Sequence, residues 1–434
     1  MTAIAVIGSG PSGLYAVDGL LRKMPSVRID VIDRLPTPYG LVRGGVAPDH
    51  QGTKAIVRQF ARTMGKDGVR FLGNVEVGRD VSYDELEDLY DAVVIAMGAY
   101  EDRRLGIPGE DLPGVYGSWQ FVGWYNGHPD FADMAPDFSR PGAVVIGNGN
   151  VALDVCRVLA KTPDEMALSD IAPAALAAIQ AGASGDITVA GRRGPVEAAF
   201  TPAELGEFGH LSNAGPKVDA AALPDSVGEV AGKDKPFKEK NLELLHGFAA
   251  PEDGDKPRTI DMLFCVSPVE ILGTDRVEGV RFERTRLDGG RAVGTGEFFA
   301  VEAGLVVTAI GYKTAALPGI PMDGGIVANS DGRVEDGVYA VGWSKRGPSG
   351  TIPTNRADSL AVVELMLEDL GGIDVDAGPA PACDALNGLL AQRGVRVVDF
   401  EDWQKIDAAE TDAATEPCPR VKFTNFADLL AAAG

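Results

Sequence analysis

Two glycine-rich turns carry the residues of this sequence best suited to do chemistry. The first, GSGPSG (8–13), follows the apolar run AIAVIG (3–8) and opens a helix-like run, LYAVDGLLRKM. Strand, G-x-G-x-x-G and helix in that order form the context in which the motif binds a dinucleotide. Gly8 permits the tight turn, Gly10 lets the backbone approach a pyrophosphate, and Gly13 lets the helix pack close to the sheet. The helix N-terminus then presents N–H groups and the positive end of its dipole to the phosphates. The next strand, VRIDVID (27–33), ends in Asp33, whose carboxylate can accept hydrogen bonds from both ribose hydroxyls. A glycine cluster that only makes a turn would not need the strand, the helix and the acid together.

The second turn, GNGNVA (147–152), lies about 140 residues further on, in GAVVIGNGNVALDVCRVLA (142–160). Ala152 stands where the third glycine would be, which the fingerprint allows. The strand that should close this unit, DITVA, ends not in an acid but in Gly191, Arg192 and Arg193. A carboxylate there would repel a 2′-phosphate, whereas two guanidiniums neutralise it and make paired hydrogen bonds to it. The alternative is a solvated arginine pair on a loop. One chain thus carries two sites of opposite charge preference: an acid-closed site that suits FAD and an arginine-closed site that suits NADP(H). Two such ligands in one protein imply hydride transfer from nicotinamide to flavin.

The elements around these turns read as an α/β chain with two Rossmann-like dinucleotide-binding domains. YDAVVIAMGA (90–99), GLVVTAIGYK (304–313) and GVYAVGW (337–343) read as further buried strands, and GTIPTNRADSLAVVELMLEDL as a turn leading into a helix. The Ala- and Asp-rich segment 162–184 reads as an inserted helix or loop. The polar stretch 215–258 reads as a loop or excursion, and 371–382 as a surface loop. The expected division is a discontinuous FAD-binding domain, 1–104 with 313–434, and an NADP-binding domain, 105–312, inserted into it.

Composition narrows the function. The 434 residues are 45% hydrophobic and 24% charged, ordinary for a globular protein, and the formal net charge is −23. That balance argues against nucleic-acid binding, which needs a basic surface. No apolar run has the length of a membrane-spanning helix, and MTAIAVIGSG enters a strand without a charged leader, so a cytoplasmic location without membrane insertion is expected. The four cysteines, Cys156, Cys265, Cys383 and Cys418, are too far apart in sequence to suggest a metal site or redox pair. Reductases that relay electrons through a close cysteine pair are therefore excluded, and the acceptor must be a separate protein or a small molecule.

Several longer stretches resemble one family. PTPYGLVRGGVAPDH (36–50), GNVEVGRDV (73–81), FVGWYNGHP (121–129), VIGNGNVALDVCR (145–157), GRRGPVEAAFTPAEL (191–205) and GWSKRGPSGTIPTN (342–355) look like the adrenodoxin reductase family, which includes bacterial NADPH–ferredoxin reductases. The likeness continues through EDWQKIDAAE and CPRVKF near the C-terminus. It implies that NADPH gives a hydride to FAD and that single electrons then pass to an adrenodoxin-like [2Fe–2S] ferredoxin. The competing readings are an NADPH diaphorase or oxidase acting on small acceptors without a ferredoxin, and a non-enzymatic redox sensor.

The resemblance also assigns residues. FAD contacts fall on Gly8, Gly10, Gly13, Asp33, Leu41, Val77, Trp343 and the run Gly350, Thr351, Ile352. Asp33 departs from the family's usual Glu but keeps its charge. Leu41 and Val77 have core packing as their alternative. NADP contacts fall on Asn148, Gly149, Asn150, Val151, Arg192, Arg193 and Glu204, with Gly350 near the nicotinamide end. Asn148 and Asn150 can also cap the following helix with their side chains. Thr201 and Glu204, in TPAEL, can form a capping box. His50 and Glu204 are the active-site candidates, His50 having a structural loop role as its alternative. For an acidic ferredoxin the candidate cations are Arg58 with Arg62, the Lys233–Lys240 cluster, and Lys345 with Arg346.

Overall fold

The structure is a computed structural model and describes residues 2–183, 185–230, 232–250, 256–371 and 381–434. The chain forms two compact units: Met1–Glu101 with Asn126–Ala132 and Tyr312–Gly434, and Asp102–Tyr125 with Asp133–Gly311. The short segment Asn126–Ala132, inside the stretch 105–312, packs with the first unit.

The first unit is built on a six-stranded sheet in the order Arg333–Glu335, Val338–Ala340, Ala92–Ile95, Ala3–Ile7, Arg28–Asp33, Val69–Gly73. All neighbours are parallel except the first pair. Its central strands, AIAVI and AVVI, are buried throughout, as runs covered on both faces must be. The helix Pro11–Lys23 starts with proline in its first turn, where no intrahelical N–H is lost, and ends with Arg22 and Lys23 at the negative end of its dipole. It packs with the helix Ile352–Asp369, and Leu14, Val17, Leu20, Val362, Val363 and Met366 share one buried cluster.

The second unit holds a wholly parallel six-stranded sheet: Val115–Gly117, Leu305–Thr308, Ala143–Ile146, Ile187–Ala190, Arg258–Leu263, Ala214–Val218. An antiparallel meander, Val266–Leu272, Gly279–Asp288 and Arg291–Glu302, adds a small separate sheet. The strands expected around the two glycine turns are all present, so both Rossmann-like cores stand.

Three sequence expectations need correction or completion. The stretch 215–258 is not an excursion. It supplies the edge strand Ala214–Val218 and the helix Lys235–Ala249, which buries Asn241, Leu242 and Leu245 on one face beneath its charges. Segment 162–184 contains two helices, Pro163–Met166 and Pro173–Ala181, the first closed by a Thr162–Glu165 capping box. Residues 372–380, most of the loop expected at 371–382, lie outside the described residues. Among the described residues, no helix is long and apolar enough to cross a membrane.

Candidate dinucleotide sites

The glycines of each turn separate into those the fold needs and those it leaves open. Gly8 has φ +110°, and a Cβ on it would lie 2.4 Å from the carbonyl oxygen of Ala96. A Cβ on Gly13 would lie 2.2 Å from the carbonyl oxygen of Gly8, so helix and turn touch there. A Cβ on Gly10 would meet nothing within 4 Å. The second unit repeats this pattern. Gly147 has φ +149° and lies against Ala309, Ala152 is fully buried, and a Cβ on Gly149 would meet nothing within 4 Å. The fold explains Gly8, Gly13 and Gly147; open space in front of Gly10 and Gly149 is what a pyrophosphate requires.

The helix ends agree. Five helices elsewhere start on side-chain caps, Ser82, Thr162, Thr201, Asp399 and Asn425, whereas others, among them Pro173–Ala181 and Lys235–Ala249, do not. The helices Pro11–Lys23 and Asn150–Ala160 start on Gly10 and Gly149 with no side-chain cap. Their first N–H groups therefore face the turn without a side-chain acceptor, the arrangement that suits an anion.

Asp33 stands at the C-terminal end of its strand beside the first turn. Its Oδ2 accepts from the Ser9 N–H (2.9 Å) and the Ser9 hydroxyl (2.5 Å), and its Oδ1 from the Leu35 N–H (3.0 Å). The donors fix the carboxylate's orientation and leave part of its capacity of about four acceptor sites for a ligand hydroxyl. The Tyr39 N–H donates to the carbonyl of Ser9, and a Cβ on Gly40 would lie 3.1 Å from Gly10, which places Leu41 beside the turn at the start of the short helix Leu41–Gly44. A Cβ on Gly342 would lie 1.9 Å from the Ser12 hydroxyl, and the Gly342 N–H donates to Asp358. Trp343 therefore begins next to the first helix; its ring N–H donates to the carbonyl of Ser349, and its ring lies 6.3 Å from that of Tyr312. Gly350 has φ +78°, Thr351 is the N-cap of the long helix, and Ile352 is that helix's first residue. Val77 is largely buried in an apolar cluster, two residues past Val75, whose N–H donates to the carbonyl of Asp33. His50 is the N-cap residue of Gln51–Lys54, without a side-chain cap bond.

In the second unit, Asn150 does not cap its own helix. Its Oδ1 accepts from the Thr201 N–H at 2.8 Å, tying the turn to TPAEL, while the Asn148 carbonyl accepts from Ala199. The Asn148 side chain lies where a Cβ on Gly191 would be. Val151 follows in the first helical turn. Thr201 caps its helix by accepting from the Glu204 N–H at 3.4 Å, and the Glu204 carboxylate reaches Arg157 at 3.3 Å. Arg157 has no solvent exposure and also meets Asp154 (2.7 Å) and Glu207 (3.0 Å).

Arg192 and Arg193 are exposed, and neither has an ion-pair partner among the described residues. Their backbones are pinned, since the Arg192 carbonyl accepts from the Thr285 hydroxyl (2.8 Å) and the Arg193 carbonyl from the Cys265 N–H (3.0 Å). The Lys238 ammonium, hydrogen-bonded to the Ala198 carbonyl, adds positive charge nearby. Its pKa is lowered by burial first, with Arg193 pushing the same way against Glu197. Two adjacent exposed cations without an ion-pair partner among the described residues are open to an anionic ligand.

Sequence reasoning missed Ser9 and Arg157, and gave Gly147 and Gly191 no individual role. Gly147 was legible as the first glycine of its motif. Arg157 had one signal, a lone charge on the apolar face of NVALDVCRVLA, but its partners on TPAELGE come from another element.

Comparisons with known proteins identify the family. A family model described as pyridine nucleotide-disulphide oxidoreductase matches residues 2–187. The chain is 42% identical over 447 residues to NADPH-ferredoxin reductase FprA of Mycobacterium tuberculosis, with 98% of each chain covered. It is 40% identical over 451 residues to the mitochondrial NADPH:adrenodoxin oxidoreductase of Bos taurus, covering 98% of this chain and 91% of that one. The solved structure of Mycobacterium tuberculosis FprA in complex with NADPH matches with a TM-score of 0.92 at 40% identity, covering 100% of this chain and 99% of that chain. The chain belongs to the adrenodoxin reductase family of NADPH–ferredoxin reductases.

Proposed function

We propose that this protein is an FAD-dependent NADPH–ferredoxin oxidoreductase whose acceptor is a [2Fe–2S] ferredoxin. The observation that carries the reading is the pairing of an acid-closed turn with an arginine-closed turn in one chain, each with an open second glycine. FAD, when bound, supplies the conversion of a two-electron hydride donor into a one-electron donor. Everything else is positioning by the chain's own residues.

We assign FAD to the unit containing Gly8. Gly10 and the N–H groups at the start of Pro11–Lys23 receive the pyrophosphate, and Asp33 holds the ribose hydroxyls. Leu41, Val77, Trp343 and Gly350–Ile352 supply the remaining contacts. NADP(H) goes to the unit containing Gly147. Asn148, Gly149, Asn150 and Val151 receive its pyrophosphate, and Arg192 with Arg193 hold the 2′-phosphate in a bidentate manner that lysines would not reproduce. Glu204, anchored by Arg157, and His50 serve as the active-site polar residues, orienting the nicotinamide and flavin rings rather than moving an obligatory proton.

The test is an anaerobic titration of the purified holoprotein, following flavin absorbance. NADPH is expected to bleach a stoichiometric bound flavin, and NADH to do so only at far higher concentration. A protein that retains no flavin, or a flavin that NADPH leaves oxidised, would defeat the assignment.

A further inference from the structure

Arg192 and Arg193 have to be aimed through their backbone. An ion pair can hold a long cation in place, as Asp358 holds Lys345 and Arg346 at 3.2 and 3.8 Å. Arg192 and Arg193 have no such partner among the described residues. Where their guanidiniums reach before a nucleotide arrives is set by where their main chain is fixed, and a group fixed in advance loses less freedom on binding.

The small antiparallel sheet does the fixing. Past Ala190 the ladder between the strands Ile187–Ala190 and Arg258–Leu263 continues only briefly: the Gly191 N–H donates to the Leu263 carbonyl (2.9 Å), and the Gly191 carbonyl accepts from the Val266 N–H (3.0 Å). The Arg192 carbonyl then accepts from the Thr285 hydroxyl (2.8 Å) and the Arg193 carbonyl from the Cys265 N–H (3.0 Å). The Thr285 N–H donates in turn to the Cys265 carbonyl (2.7 Å), so Thr285 and Cys265 grip the arginines as one unit.

Thr285 faces the arginines because of a bulge. In the strand Gly279–Asp288, Val280 and Phe282 are buried at a spacing of two, and the next buried residue is Thr285, three further on. The pairing with Arg291–Glu302 jumps at that point, from Glu283 opposite Phe298 to Thr285 opposite Gly294. Gly296, at φ +83°, closes the bulge by donating its N–H to Glu283 Oε1 (2.9 Å), and the Thr295 hydroxyl donates to the Arg284 carbonyl (2.9 Å). A bulge of this kind re-aims a side chain. Valine would pack in the same place; what threonine adds is the hydroxyl that the Arg192 carbonyl uses. The far end of the loop is held separately, by Lys238 on the Ala198 carbonyl and by the Asn241 amide on the Phe200 carbonyl (2.9 Å).

We infer that Thr285 is a positioning residue for nucleotide selectivity: its hydroxyl, presented by the bulge, holds Arg192 ready for the 2′-phosphate of NADP(H). The inference rests on the NADP(H) assignment above. Thr285 touches no nucleotide itself and acts only through Arg192.

The test is NADPH- and NADH-driven ferricyanide reduction by the purified holoprotein. Thr285→Val keeps the shape and the β-branched residue that suits a strand. It is expected to raise the KM for NADPH by roughly threefold to tenfold, the worth of one hydrogen bond, with kcat little changed and the KM for NADH within about twofold of wild type. Thr285→Ser, which restores the hydroxyl without the methyl, should return the KM for NADPH to near the wild-type value. In an Arg192→Ala background, Thr285→Val should cost less than about twofold more, because the group it positions is gone. An unchanged KM for NADPH in Thr285→Val, an equal rise for both nucleotides, a loss in Thr285→Ser as large as in Thr285→Val, or a full loss that persists without Arg192 would each overturn the positioning role while the NADP(H) assignment stands. If Arg192→Ala itself leaves the preference for NADPH over NADH untouched, the NADP(H) assignment fails, and the role of Thr285 with it.

Discussion

Replacing Arg192 and Arg193 with alanine should convert a strong preference for NADPH into near indifference. Both side chains are exposed and carry no ion-pair partner among the described residues, so their removal breaks no internal contact and should leave the fold intact. A hydrogen bond to a charged group contributes about 1.5–3 kcal/mol when well formed. Solvent exposure argues for the low end, so the pair together should contribute roughly 3 kcal/mol, or on the order of 150-fold in NADPH affinity. NADH has no 2′-phosphate, and its KM should move by less than about threefold. Stopped-flow measurement of flavin reduction, with both nucleotides titrated against wild type and the double variant, separates the two effects. Equal losses for NADPH and NADH would refute the phosphate assignment and return the arginines to the solvated surface. The single variants should each lose part of the preference, with coupling between them because both hold one phosphate.

Three further outcomes follow from the geometry. Gly10→Ala should fold with a thermal midpoint close to that of wild-type apoprotein, since its new methyl meets nothing, yet lose flavin by tenfold or more; Gly8→Ala, at φ +110° and 2.4 Å from a carbonyl, should not give the folded unit. Apoprotein melting and flavin content of the purified variants distinguish the two. Glu410, fully buried, accepts from Arg43 (2.8 Å and one shorter bond), Arg420 (3.2 Å) and the Phe423 N–H (3.0 Å); burial pushes its carboxyl pKa up, and Arg43, Arg420 and the Phe423 N–H together more than offset this. Glu410→Gln should destabilise by about 3–5 kcal/mol and lower the melting temperature by several degrees, because Arg43 is left uncompensated. Burial of the His128 imidazole lowers its pKa to about 4, against the upward pull of Asp130. The folded value lies below the unfolded one, near 6.5, so the unfolded chain binds more protons in between, and stability present above pH 6.5 is lost as pH falls towards 4. His128→Gln should remove roughly 3 kcal/mol of that acid sensitivity, read as a shallower fall of the melting temperature with pH.

The parts of the fold legible in the sequence were those written in contiguous residues. AIAVIG, DITVA and GLVVT are short β-branched runs between glycines, and each became a buried parallel strand. The helix Lys235–Ala249 was not legible, because its buried face is only Asn241, Leu242 and Leu245 amid charges, and a polar stretch of that kind reads as a loop. The meander 266–302 was missed for a related reason: Gly279–Asp288 alternates, but arginines and glutamates dominate its outer face. At the site, motif glycines could be named in advance, but not which of them face open space, since that depends on Ala96 and Ala309 from distant strands. The Asn150–Thr201 bond and the Arg157 carboxylate cluster likewise join residues about 50 apart in sequence, and no local pattern announces them. Charge pairing was the least legible feature. Lys345 and Arg346 read as free cations until Asp358 appeared opposite them.

The central claim is that one chain passes electrons from NADPH to a ferredoxin, and one measurement tests it most directly: NADPH-driven cytochrome c reduction by the purified holoprotein, with and without a [2Fe–2S] ferredoxin from the same organism. The account predicts a large, saturable stimulation by ferredoxin that fades as salt is raised. A rate that is the same with and without ferredoxin at every salt concentration would contradict it.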